Sequence, residues 1–546
     1  MNRDVSLRQL IQAGAGLGAL SIAAMLVLRG DPEDELKVAI GGLGGFALMA
    51  HAAFSNVKRR LVYSRKPSSA STDTLDHVLL HWDEDNAFTV RDLLNGGCCI
   101  MGRTGSGKTS SSGKAIANVL ARLPGSGGLI LAAKPGEDRA MWEEIFTKAG
   151  RRDDLLIFAP DQQLHFNFLA YEMNQGGGHT RNITKTLMTI SESLRSSDTN
   201  GREDADFWNR EQERLLYSAI EMVKLAMGPF TASDLQKFIA TAAMSPQEFA
   251  SEAWLDGFHN HVLRAAYESA KTPLEQHDYE LARTYWVDEF PTTADRTRSS
   301  ILTGVMGILH VFNTGLVREL VSTTTNITPD ELFAGKWVLV DMAPSEWGDI
   351  GLFVAAGWKY LVERAVLRRV ARPDSNIVTI VSDECHQFLS SFDAHFITQC
   401  RSHRGSLVFL SQSLHNFYAA LSGEKGRHQA DSLLTNFHTK VLHALGDIET
   451  ATWASNLVGK SLQTFTGGTT TPPDSPFDEL MGRQRYSGNY SNHFESTLQA
   501  NEFMHGLRTG GASNDFMCDC YVIRSGEPFA SGQNYLATSF SQKDDG

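Results

Sequence analysis

A glycine-rich octapeptide near residue 100 constrains the fold more than any other feature of this sequence. It matches the phosphate-loop pattern G-x-x-x-x-G-K-[ST]. The apolar run Cys98 to Met101 precedes it, and Ser110 to Leu123 can form the helix that follows. Glycines in such a loop let backbone N–H groups turn toward phosphate oxygens, and the helix N-terminus adds positive potential. The pattern predicts a nucleoside-triphosphate site in an α/β domain, formed by Gly102, Arg103, Thr104, Gly105, Ser106, Gly107, Lys108 and Thr109.

A phosphate loop of this kind needs an acidic partner on a neighbouring strand. The β-branched run Ile377 to Ser382 ends in Asp383 and Glu384. We expect Lys108 to contact the β- and γ-phosphates and Thr109 to offer its hydroxyl to Mg²⁺. Asp383 would hold the same Mg²⁺ through water, and Glu384 would polarise the attacking water.

A second strand also ends in a carboxylate. Trp337 to Val340 is followed by Asp341, but the next residue is Met342, which supplies no base. Since the 383–384 pair alone supplies both roles, we prefer it. An ordinary exposed carboxylate at a strand end is the alternative for either site.

Polar residues flank a third strand-like run, Ser406 to Leu410. Gln412 follows it and could sense the γ-phosphate or position water. Arg401 and Arg404 precede it. Arginines in a turn are usually solvated, so the pattern alone assigns neither of them a catalytic role.

Two apolar runs open the chain. Leu10 to Leu28 is 19 residues without a charge, and Val38 to Phe54 is 17 residues in which His51 alone is ionisable. About 17–25 apolar residues can span a bilayer, so residues 1–56 are predicted to form a transmembrane hairpin. Lys58, Arg59 and Arg60 follow the second run, which predicts a cytoplasmic location from residue 57 onward. A signal peptide and a buried helical hairpin remain as alternatives.

The rest of the chain changes character twice. Residues 57–75 are predicted to be a basic juxtamembrane linker. In residues 76–173, apolar runs alternate with helical patterns, which indicates the first part of a nucleotide-binding domain with a parallel sheet. Residues 174–290 show 3.6-residue spacing and are predicted to be an all-helical insert. Residues 291–546 return to alternation and are predicted to be the second part of the nucleotide-binding domain with a C-terminal extension. Within them, the tract Thr464 to Thr471 and the stretch after it are predicted to be loop or disorder.

Composition excludes several classes of protein. The 546 residues carry a net charge of −13, which argues against a protein that coats nucleic acid with its whole surface. A local basic channel remains compatible with this charge. Six cysteines in so long a chain do not make a disulfide scaffold, which indicates a reducing compartment.

Together these features resemble one family, the type IV secretion coupling proteins, which are conjugative DNA-transfer ATPases with a RecA-like fold. The resemblance covers most of residues 76–460. It rests on the hairpin, the phosphate loop, the helical insert and the Asp-Glu pair followed 28 residues later by Gln412. Further matching stretches are Ala132 to Glu137, Phe166 to Leu169, Ala294 to Ile301 and Lys440 to Gly459.

The resemblance implies ATP and Mg²⁺ as ligands and a homo-hexameric ring at the cytoplasmic face of the bacterial inner membrane. Relaxase-bound single-stranded DNA and components of the secretion channel would be its partners. It also places a trans-acting arginine finger at Arg401. Where many members have Asp-Pro-Lys-Gly-Glu, this chain has Ala-Lys-Pro-Gly-Glu, so the family role does not transfer to Lys134.

The leading hypothesis is a membrane-anchored ATPase that drives DNA into a type IV secretion channel during conjugation. One alternative is a membrane-anchored docking hub that recruits protein substrates, with nucleotide binding mainly supporting assembly. Another is a DNA translocase of chromosome segregation or defence. Retention of Thr109, Asp383 and Glu384 favours turnover over a hub.

Overall fold

The computed structural model describes residues 74–175, 179–192, 202–421, 426–471 and 485–543. The transmembrane hairpin predicted for residues 1–56 lies outside them, as does all but the end of the predicted linker. Within the described residues, no single helix has the length and apolar composition of a membrane span. Helices Asp295–Asn313 and Gly315–Val321 meet that criterion only as a pair, with a bend of 72° between them.

The described residues contain thirteen strands, which form three sheets. In chain order the strands are β1 (Val78–His81), β2 (Ala87–Thr89), β3 (Cys98–Met101), β4 (Gly127–Leu131), β5 (Leu155–Phe158), β6 (Trp337–Val340), β7 (Val378–Ser382), β8 (Gly405–Ser411), β9 (Thr439–Leu442), β10 (Lys460–Thr471), β11 (Arg485–Ser496), β12 (Met517–Arg524) and β13 (Tyr535–Ser541).

The main sheet has nine strands in the order β13-β12-β9-β3-β8-β7-β4-β6-β5. All neighbours from β9 to β5 pair in parallel, and β12 and β13 extend the sheet in antiparallel fashion. The four apolar runs named above, which begin at Cys98, Trp337, Ile377 and Ser406, form β3, β6, β7 and β8. This confirms a mixed α/β fold with a largely parallel central sheet.

The central strands are buried on both faces because helices cover both sides of the sheet. Along β3, Cys98 and Ile100 pack in one core layer, while Cys99 and Met101 pack in the other. This alternation follows from the two-residue repeat of a strand. The α-helices are Val90–Leu94, Lys114–Arg122, Glu137–Lys148, Phe168–Met173, Thr180–Glu192, Arg202–Met227, Ala232–Ala240, Glu252–Leu255, Phe258–Ser269, Pro273–Arg283, Asp295–Asn313, Gly315–Val321, Asp330–Phe333, Pro344–Arg368, Ser391–Gln399, Leu414–Ala420, Gly426–Asn436, Ile448–Val458 and Ala500–His505.

The described chain between β5 and β6 is helical, with connecting loops, and contains no strand. These helices extend to Phe333, beyond residue 290, where the sequence had placed the end of the helical insert. Their core is aromatic: His259 stacks on Phe238 with ring centroids 4.1 Å apart, and Trp286 packs edge-on against both rings.

The loop or disorder predicted for Thr464 to Thr471 and the stretch after it is wrong for the described part of that region. β10 and β11 pair in antiparallel register from Lys460–Ser496 to Thr471–Arg485 and form a separate two-stranded sheet. Runs of threonine favour extended backbone as strongly as they favour loops, and pairing between the strands decided the outcome.

Candidate active site

The glycine-rich loop lies at the carboxyl end of β3 and opens the helix after it. The first helical turn, Thr109–Gly113, is wide, and an α-helix continues from Lys114. Gly105 and Gly107 have φ angles of 75° and 86°, a conformation that glycine adopts without strain. A Cβ on Gly107 would lie 2.2 Å from Cys518 Sγ, so packing also requires glycine there.

The remaining loop residues are held by backbone hydrogen bonds and differ in exposure. Arg103 and Thr104 are exposed, and the Arg103 N–H donates to the Ala444 carbonyl at 2.8 Å. Ser106 is buried, and its N–H donates to the Arg103 carbonyl at 3.0 Å. The Gly102 N–H donates to the Ser411 carbonyl of β8 at 3.2 Å. The loop is therefore attached to the end of β8 and to the segment that follows β9, the two strands that flank β3.

The structure brings the predicted acidic pair to this loop. Thr109 Oγ1 donates to Asp383 Oδ2 at 3.0 Å, and Lys108 Nζ donates to Glu384 Oε1 at 3.2 Å. The side chains of Lys108 and Glu384 are 8% and 12% exposed, so water screens this ion pair little. Glu384 has a φ of 49°, which is uncommon for a residue with a side chain and costs of order 1 kcal/mol.

Gln412 also contacts the Glu384 carboxylate. Its Nε2 lies 3.2 and 3.3 Å from the two Glu384 oxygens, and it follows β8, which lies between β3 and β7. His386 Nδ1 lies 3.7 Å from Glu384 Oε2. Burial lowers the pKa of His386, so this imidazole is neutral at pH 7. Glu384 is thus positioned by an ammonium and an amide.

Asp341 lies apart from the loop. β8, β7 and β4 separate its strand, β6, from β3, and Arg139 Nη1 contacts Asp341 Oδ2 at 3.4 Å. Burial raises the pKa of this carboxyl even though Arg139 opposes the change. The geometry therefore supports the preference for Asp383 and Glu384.

The two arginines lie before β8, at the opposite edge of the sheet from the phosphate loop. Arg401 is exposed, and its side chain makes no hydrogen bond or ion pair with any residue that the structure describes. Arg404 is 9% exposed and has a φ of 53°. Its carbonyl accepts from the Val378 N–H at 3.0 Å and from Arg369 Nη2 at 3.1 Å. Only Arg401 of the two points its charge into solvent.

Sequence reasoning missed Lys134 as a member of the site. Its Nζ donates to Asp383 Oδ2 at 2.9 Å, the same oxygen that accepts from Thr109. Burial opposes the charge of Lys134, but the hydrogen bond and the charge of Asp383 outweigh it and raise the pKa of this amine. The backbone N–H groups of Ala133 and Lys134 donate to Asp138 Oδ2 at 2.8 and 2.9 Å. The position of Lys134 at the end of an apolar run was the available signal.

Sequence reasoning also missed a buried support behind the loop. Ser112 Oγ lies 2.7 Å from His443 Nε2, and His443 Nδ1 lies 3.1 Å from the Asp519 carbonyl. Burial lowers the pKa of His443 to about 4, so the ring is neutral near pH 7. No local pattern could have indicated this contact, because Ser112 and His443 are 331 residues apart.

The residues around Asp383 fit a magnesium ion. Mg²⁺ prefers oxygen ligands and usually keeps several waters, together with one or two protein groups and substrate phosphates. Thr109 Oγ1 and Asp383 Oδ2 are 3.0 Å apart and border the loop where phosphates would lie. Together the loop and these oxygens can bind a metal–triphosphate complex.

Two family sequence models match the chain. The model described as type IV secretory system conjugative DNA transfer matches residues 49–328, just over half of the chain. The model described as the TraM recognition site of TraD and TraG matches residues 377–505. No curated protein matches this chain.

Solved structures of the plasmid coupling protein TrwB share the fold. The unbound monoclinic form of bacterial conjugative coupling protein TrwBdeltaN70 has a TM-score of 0.55 at 14% identity and covers 87% of this chain and 91% of its own. The complex of TrwB with the non-hydrolysable GTP analogue GDPNP has a TM-score of 0.56 at 15% identity, with the same coverage. The complex with ADP and Mg²⁺ has a TM-score of 0.54 at 14% identity and covers 87% of this chain and 90% of its own.

Proposed function

Because this chain belongs to the type IV secretory system conjugative DNA transfer family and is a type IV coupling protein, we propose that it is a membrane-anchored ATPase. It couples relaxase-bound single-stranded DNA to a type IV secretion channel and drives translocation by hydrolysing ATP.

One observation carries the enzymatic part of this proposal. Five side chains from three separate parts of the sequence meet within hydrogen-bond distance at one edge of the sheet: Lys108, Thr109, Asp383, Glu384 and Gln412. A chain that used nucleotide only for assembly would have no need for a carboxylate held in a strained backbone conformation next to the loop. The complete set therefore favours turnover over a docking hub.

Each side chain has a role that its position permits. Lys108 exchanges its contact with Glu384 for the β- and γ-phosphates, which frees that carboxylate. Glu384 then orients the attacking water and accepts its proton, while Gln412 keeps the carboxylate directed at the γ-phosphate. Thr109 and Asp383 would hold Mg²⁺, which supplies charge neutralisation for the phosphate oxygens.

The ring is also part of the proposal. Arg401 is exposed at the far edge of the sheet, so its guanidinium is available to a neighbouring subunit. A homo-hexamer would let Arg401 of each subunit complete the site of the next, and phosphate loss would move the segments that hold DNA. TrwB has been solved with ADP and Mg²⁺, which supports the same ligands here.

The location in the cell rests on sequence. The two apolar runs within residues 1–56 would anchor the protein in the bacterial inner membrane, and the basic cluster after them favours a cytoplasmic bulk. Delivery to secretion-channel components follows from that placement.

The test is ATP hydrolysis by the purified full-length protein with and without single-stranded DNA. We expect DNA-stimulated turnover that Lys108→Ala abolishes, because this ammonium meets the transferring charge. Lys148→Ala is the matched control, since Lys148 forms a surface pair with Glu144 at the distant end of helix Glu137–Lys148. Normal turnover in Lys108→Ala would contradict the proposal.

A further inference from the structure

Lys134 places an ammonium directly against Asp383, one of the expected metal ligands. Its Nζ lies 2.9 Å from Asp383 Oδ2, and Thr109 Oγ1 lies 3.0 Å from that same oxygen. If a carboxylate oxygen binds Mg²⁺, directly or through a bound water, an ammonium at hydrogen-bond distance from the same oxygen is destabilised, because the two cations repel. The ammonium and the metal therefore compete for one group.

Lys134 is built to reach Asp383 from a fixed base. It follows β4, which pairs with β7, and Leu131 lies opposite Ser382 at the end of that pairing. The hydrogen bonds from its own N–H and that of Ala133 to buried Asp138 hold the start of the turn. The side chain itself is 38% exposed, so it can swing into solvent when another cation arrives.

The charges around Lys134 explain why such a cation would be needed. The negative charges of Asp383, Asp138 and Glu384 all favour the charged form of Lys134. The pKa of Asp138 is raised by burial and, in addition, by the charge of Asp383. Without Lys134, the three buried carboxylates would be left with Lys108, which pairs with Glu384, and Asp383 and Asp138 would repel each other and attract free metal ions.

We propose that Lys134 is a positioning residue that holds Asp383 in place of the metal and keeps free divalent cations out, so that the metal enters together with the nucleotide. This inference rests on the proposed nucleotide site. It concerns metal binding rather than hydrolysis, so the two can fail separately.

The probe is Mn²⁺ alone, titrated into the purified full-length protein without nucleotide and followed by electron paramagnetic resonance. Lys134→Met removes the charge but keeps the length of the side chain. We expect it to tighten Mn²⁺ binding about five-fold, the size expected when a partly exposed ion pair stops competing. Lys134→Arg, which keeps a cation, should bind Mn²⁺ as the wild type does, and so should the surface control Lys148→Met.

Two results would overturn the proposal. One is an unchanged Mn²⁺ affinity in Lys134→Met whose thermal melt matches the wild type. The other is tighter Mn²⁺ binding that persists in the double variant Lys134→Met/Asp383→Asn, because the metal would then lie elsewhere. Binding of a fluorescent ATP analogue to the wild type tests the nucleotide site itself. Its failure would remove the proposed function while leaving the Mn²⁺ comparison interpretable.

Discussion

Replacing Arg401 with alanine separates a ring mechanism from a self-contained site. Arg401 precedes β8, whereas Gln412 follows it at the nucleotide edge. The seven residues of β8 span about 20 Å at roughly 3.3 Å per residue. An arginine side chain is much shorter than this separation, so Arg401 cannot reach the γ-phosphate in its own subunit.

The expected magnitude follows from the role. Loss of an arginine finger costs about 10³–10⁵ in rate, which corresponds to about 4–7 kcal/mol of transition-state stabilisation. Because Arg401 makes no contact with the phosphate loop of its own subunit, ATP affinity should stay within about three-fold of the wild type. Stability should also change by less than about 0.5 kcal/mol, as for most surface substitutions.

Arg404 provides the matched control three residues away. Its side chain is buried, so Arg404→Ala should lower the free energy of unfolding by about 1–2 kcal/mol through lost packing. The folded enzyme should still hydrolyse ATP. Arg404→Gly should be more stable than Arg404→Ala, since glycine accepts a φ of 53° without strain.

The decisive assay mixes subunits. Arg401→Ala alone and Glu384→Gln alone should both be inactive in steady-state phosphate release. A mixture should recover part of the activity, because an Arg401→Ala subunit keeps its own Glu384 and receives arginine from a Glu384→Gln neighbour. Wild-type turnover in Arg401→Ala, with inactivity in Arg404→Ala, would move the finger to Arg404. Normal turnover in both variants would refute the shared-site reasoning.

Three further predictions concern the loop, its support and the N-terminus. Gly107→Ala should abolish binding of a fluorescent ATP analogue, since its Cβ would collide with Cys518 Sγ at a φ of 86°; wild-type affinity would contradict the packing argument. The native pKa of His443, about 4, lies below the ordinary value near 6.5, so the unfolded chain binds the extra proton. Stability from this group is present above pH 6.5 and is lost as pH falls toward 4, by an amount on the order of 3 kcal/mol. Chemical denaturation at both pH values should show a smaller loss in His443→Gln. Deleting residues 1–56 should give a soluble, mostly monomeric fragment that binds ATP, as gel filtration and a binding titration would show; a fragment without ATP binding would contradict it.

The sequence by itself indicated the nucleotide site and the class of fold. The phosphate loop could be recognised because its function depends on a short, contiguous pattern of glycines, lysine and threonine. The parallel sheet could be predicted because its buried strands are continuous apolar runs between helical patterns. Asp383 and Glu384 were found for the same local reason, since they end such a run.

Tertiary structure decided which distant residues meet. The strand order places β8 between β3 and β7, and this brings Gln412 to Glu384 and leaves Asp341 at Arg139. Lys134 reaches Asp383 only because β4 pairs with β7. The pairing of β10 with β11 likewise turned an expected loop into a sheet. Periodicity within a strand reports which faces are buried, but the order of strands depends on packing between segments hundreds of residues apart, which no local pattern encodes.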